Sequence, residues 1–246
     1  MSIKAESFLA LEASLTLRLR TTLDDLTGRV FAAVQRAMDA GDWGQASREM
    51  QALDLAPVFD LNTGYIAYVS RLAVLFGASR VTPTPGTSSV GLGYEKGLVA
   101  QAVESLRQAL VVVGQRNLIA AGLQLIAMNR DRQDAPVAVA KAAKPYVPPV
   151  LPFASFMDAQ GKAVMNLASS LHTSRLSAFG YTAEANYLGV TEYQINEQLD
   201  GRTCLVCRMM HGKVFKVQDA RNLLDLVVRT QNPDELKSLQ PWPSQT

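Results

Sequence analysis

Two thiols and an imidazole fall within eight residues of one another, at Cys204, Cys207 and His211 in the run Leu199-Asp-Gly-Arg-Thr-Cys-Leu-Val-Cys-Arg-Met-Met-His-Gly-Lys-Val-Phe215. Thiolate and imidazole are good zinc ligands, and a two-residue gap lets both sulfurs face one metal at about 2.3 Å. Three of the four donors of a structural zinc site are then present. The fourth is not: Cys204 and Cys207 are the only cysteines, and the other histidine, His172, stands on a helical stretch more than thirty residues upstream. An aspartate, a water or a residue from outside this chain would have to complete the tetrahedron. The alternative is two reduced thiols packing a tight turn, and both readings stay open. Redox chemistry fits less well. A thioredoxin-type pair sits at a helix N-terminus, where the dipole lowers the thiol pKa, whereas here Gly212 and an expected strand follow.

Other candidates are weaker. No serine or cysteine nucleophile with an orienting acid can be assigned around His211, which reads as a turn residue beside Gly212. His172, next to Leu171 on an amphipathic helix, reads as a boundary residue. Gly91-Leu-Gly93 lacks the third glycine, the preceding strand and the Lys-Ser/Thr of a phosphate loop. Arg202, Arg208, Lys213 and Lys216 surround the cysteine turn and could meet phosphates or an acidic protein surface; a solvated basic face is the commoner reason for such a set. With no clustered carboxylates and no triad, the expectation is a protein that is not an enzyme.

The elements that position these residues follow from composition and period. The chain has 246 residues, 48% hydrophobic and 19% charged, enough to bury a sizeable core. Net charge is +2 from 24 basic and 22 acidic side chains, so any contact with double-stranded DNA must be local rather than a bulk effect. No stretch approaches about 20 uninterrupted apolar residues, and the N-terminus lacks the pattern of a signal peptide. Synthesis in the cytoplasm and no membrane partner are expected.

Leu15, Leu19, Leu23, Leu26, Val30, Val34 and Met38 recur at steps of three or four and predict a long amphipathic helix with Arg18, Arg20 and Asp24 toward solvent. Gly41-Asp-Trp-Gly44 breaks it, a short helix over 45–53 follows, and a third helix is expected over 62–76. The run 80–94, rich in Pro, Gly, Ser and Thr, reads as a loop. Residues 95–129 read as helix in two parts, divided near Gly114 and Gly122. Five prolines between Arg130 and Pro152 mark a Pro/Ala-rich linker. A helix over 153–179 is followed by an expected strand at 190–196 and a second at 213–217. Asp219 is a candidate N-cap for a helix over 220–230, and Asn232-Pro-Asp-Glu235 the start of another. The predicted fold is a mainly α N-terminal half, then a small α+β C-terminal module with a short β-hairpin around the CxxC turn. The predicted domains are 1–132, a linker at 133–152, and 153–246.

The C-terminal third also carries a resemblance. Tyr181-Thr-Ala-Glu-Ala-Asn186, Leu188-Gly-Val-Thr-Glu-Tyr193, Asp200-Gly-Arg-Thr-Cys-Leu-Val-Cys207 and His211-Gly-Lys-Val-Phe215 together resemble the head-morphogenesis domain of phage minor head proteins, the family typified by the F protein of phage Mu. The similarity spans about Ser155 to Val217; the helical half matches only in general character. The resemblance implies a non-enzymatic virion component at the portal vertex or capsid interior, acting in head assembly or genome delivery, with portal and major capsid proteins as partners and self-association open. It also implies Cys204 and Cys207 as zinc ligands, which the family pairs with a later His and Cys. This sequence departs from that pattern, because Pro241-Trp-Pro-Ser-Gln-Thr246 holds neither. A DNA-binding virion protein on the packaged genome is the alternative.

Overall fold

In a computed structural model the chain is mainly helical with one small two-stranded antiparallel sheet. The structure describes residues 5–81, 92–134, 151–196, 205–230 and 235, with side chains placed over 8–81, 97–133, 151–196, 208–227, 230 and 235. Most of the expected linker, the center of the 80–94 loop and, apart from Glu235, the helix expected after Asn232 lie outside these residues. The elements are α1 (Ala5–Asp39), α2 (Trp43–Gln51), α3 (Ala56–Asp60), α4 (Thr63–Ser79), α5 (Leu92–Arg107), a π-helical segment (Gln108–Gly114), α6 (Gln115–Asp134), α7 (Phe153–Tyr187), β1 (Glu192–Gln194), α8 (Leu205–Met210), β2 (Val214–Lys216) and α9 (Val217–Arg229). They group into two compact units: Met1–Glu12, Tyr65–Ser105 and Ser170–Thr246 form one, and Ala13–Gly64 with Leu106–Ser169 the other.

The second unit is built on the leucine stripe of α1. Leu15, Leu19, Leu23, Phe31, Val34 and Met38 are buried, with Thr27 in the same seam returning its hydroxyl to the Leu23 carbonyl at 2.8 Å. Leu26 and Val30 lie half-buried at the margin of the stripe. Phe31 meets Phe153 edge to face at 6.0 Å between ring centroids. Asp42 caps α2 by accepting from the Gln45 N–H at 2.8 Å, so the helix starts at Trp43, inside the expected glycine-rich break, and ends at Gln51. Pro57 opens the short helix α3, an element the sequence pattern had not resolved, since its ring presets the first turn and needs no N–H partner there. Buried Asn62, in the turn after α3, ties α1 to α3. It accepts from Arg18 Nε at 3.0 Å and donates to Thr22 Oγ1 at 3.0 Å and the Val58 carbonyl at 2.7 Å.

Two glycine boundaries expected from sequence turn out differently. Gly114 does close the π-helical segment, but Gly122 leaves α6 unbroken: a Cβ there would collide with the Met50 side chain. The glycine is a packing notch on α6, not a helix break. Gln115 likewise serves packing, its Oε1 accepting the Leu55 N–H at 2.8 Å. By length and composition the helical stretch Gly97–Gln133 is apolar enough to cross a membrane. Gln115, Arg116 and Asn117 interrupt its middle, while Leu110, Leu118, Leu125 and Ile126 are buried. At the start of α7, Asn129 Oδ1 accepts from Leu151 N at 2.7 Å and Gln35 Oε1 from Phe153 N at 2.8 Å, so side chains from two other helices satisfy amides that the helix itself leaves open.

The first unit packs α4, α5 and α7 through Ala73, Val74, Leu98, Ala102, Leu176 and Phe179, with Phe8 and Leu224 against that cluster. Phe8 stacks on Phe76 at 4.7 Å. The helix expected to stop at Phe179 runs on to Tyr187. Gly180 does not end it, because its bare Cα lets α4 approach: an added Cβ would overlap the Val74 carbonyl oxygen. Helix α9 begins at Val217, directly out of β2, so Asp219 lies in its first turn rather than at the N-cap, favorably placed toward the helix dipole.

Candidate functional site

Strands β1 and β2 pair antiparallel in the register Glu192↔Lys216, Tyr193↔Phe215 and Gln194↔Val214. Alternation puts Tyr193 and Phe215 on the half-buried face, stacked at 5.8 Å, and Glu192, Gln194, Val214 and Lys216 on the exposed face. Burial first, then the neighboring Tyr181, raises the Tyr193 phenol pKa above its usual value. The pairing extends beyond the strands through Gly212 N to the Ile195 carbonyl at 2.8 Å, Ile195 N to the Lys213 carbonyl at 3.0 Å, and Val217 N to the Thr191 carbonyl at 2.9 Å. Gln194 Nε2 donates to the Gly212 carbonyl at 3.0 Å. Gly212 has φ 79°, a left-handed conformation that suits glycine and explains its place after His211.

The connection between the strands is more than the tight turn expected. Leu205–Met210 is the short helix α8, which carries the Cys207 backbone. Arg202 and Cys204, and the Cys207 side chain, lie outside the described residues. His211, Arg208, Lys213 and Lys216 are exposed, while Met210 is buried. Lys216 stands opposite Glu192 in the sheet register, so the basic face has an acidic neighbor. Among the described residues no three His, Cys, Asp or Glu side chains converge as a metal site, and of the expected zinc donors only the His211 side chain is among them.

The structure also brings together a pair that sequence reasoning missed. His172 is not a boundary residue. It is 7% exposed, and its Nε2 lies 2.7 Å from Ser70 Oγ on α4. The Ser70 hydroxyl also lies 2.7 Å from the Ile66 carbonyl, so it stands between that carbonyl and the imidazole. Desolvation, then the Arg175 charge, lowers the imidazole pKa to about 4. Serine and histidine at this distance resemble half a hydrolase triad, but both are buried in helix packing, where a substrate has no approach. The signal was periodicity: His172 falls on the buried spacing of Leu176 and Phe179 along α7.

Comparison with known proteins adds no relative: the chain matches no family model, no curated protein and no solved structure.

Proposed function

We propose that this chain is a structural minor head protein of a tailed bacteriophage, made in the host cytoplasm and built into the virion at the portal vertex or capsid interior. Its role is assembly or genome delivery by contact with portal and major capsid proteins, without catalysis. The observation that carries the reading is the motif run from Tyr181 to Phe215. The β1–β2 pairing supports it by holding the Thr191–Gln194 part of that run against Val214–Phe215, with His211, Arg208, Lys213 and Lys216 exposed on the connection and its flank. Cys204, Cys207 and His211 would supply three zinc donors, and an aspartate, a water or a residue from outside this chain would complete the tetrahedron. Zinc there would be structural, locking the connection between the strands.

The exposed Arg208, Lys213 and Lys216 favor one second reading, contact with the packaged duplex DNA. Pull-down of the recombinant chain against purified portal and capsid proteins separates the two. Specific capture by either protein, weakened by Lys213→Glu with Lys216→Glu, is the expected result. No capture by either, together with salt-sensitive retention on duplex DNA, would replace the assembly role with genome binding. Light scattering on the same preparation reads self-association.

A further inference from the structure

We draw no further inference here: the strongest candidate, the apolar cavity of about 570 Å³ between the second half of α6 and the start of α7, lined by Met128, Leu151, Pro152 and Phe156, is an unpartnered apolar face and nothing in the structure shows what covers it.

Discussion

Ser70 and His172, 102 residues apart in sequence, meet at 2.7 Å inside the contact between α4 and α7. A buried imidazole hydrogen-bonded in this way is stable only while neutral. In the unfolded chain it titrates near 6.5, in the fold at about 4, so between those values the unfolded state binds the extra proton. Stability is therefore full above pH 6.5 and falls as the pH drops toward 4, by on the order of 3 kcal/mol over the window. The urea midpoint followed from pH 7 to pH 4 should fall more steeply for the wild type than for His172→Gln, which keeps an N–H donor but does not titrate. Equal slopes would remove His172 as the source.

The α4–α7 contact also rests on two glycines. A Cβ on Gly77 would overlap the Ser177 carbonyl oxygen, and one on Gly180 the Val74 carbonyl oxygen, so neither can be relieved by rotating a side chain. Alanine is the better helix former by about 1 kcal/mol, yet here the backbones must separate. Gly180→Ala should destabilize by about 1–3 kcal/mol, the range for overpacking. Gly28→Ala in α1, where nothing lies within 4 Å of the new methyl, should instead stabilize by about 0.5–1 kcal/mol. Thermal melts of the two variants should thus shift in opposite directions.

Asn62 is buried and makes three hydrogen bonds, of which the one to the Val58 carbonyl is shut away from water and those to Arg18 and Thr22 are partly so. Asn62→Ala deprives the buried Val58 carbonyl and the Arg18 guanidinium of a partner at once and should cost about 1–3 kcal/mol. Chemical denaturation measures it. A change below about 0.5 kcal/mol, the ordinary surface range, would mean that Asn62 is not a structural tie.

The zinc proposal has a direct readout in elemental analysis. The purified chain, loaded with zinc and freed of excess, should carry metal that Cys204→Ser with Cys207→Ser removes, and His211→Ala should weaken retention. Absence of metal from the wild-type chain after loading would leave the cysteines as packing thiols.

Much of the helical framework was legible because its signals are local. The α1 leucine stripe and the two short strands around Tyr193 and Phe215 each depend on residues a few positions apart, and the structure carries both. Gly122 and Gly180 were misread for the same reason. A glycine has one local meaning, backbone freedom, and a second that exists only when another element arrives, namely close approach. Helix α8 escaped notice because six residues carry less than two turns of periodicity.

By itself the sequence determined the mainly helical class, the positions of the long helices, the pair of short strands and the chemical types gathered at Cys204, Cys207 and His211. Those follow from period and composition, which act over short stretches of chain. Only the tertiary structure decided that His172 is buried against Ser70, that α7 continues through Gly180, and that Met1–Glu12 groups with Tyr65–Ser105 and Ser170–Thr246. Each of these depends on which distant surfaces exclude water together, and burial of that kind is not a property of any one segment.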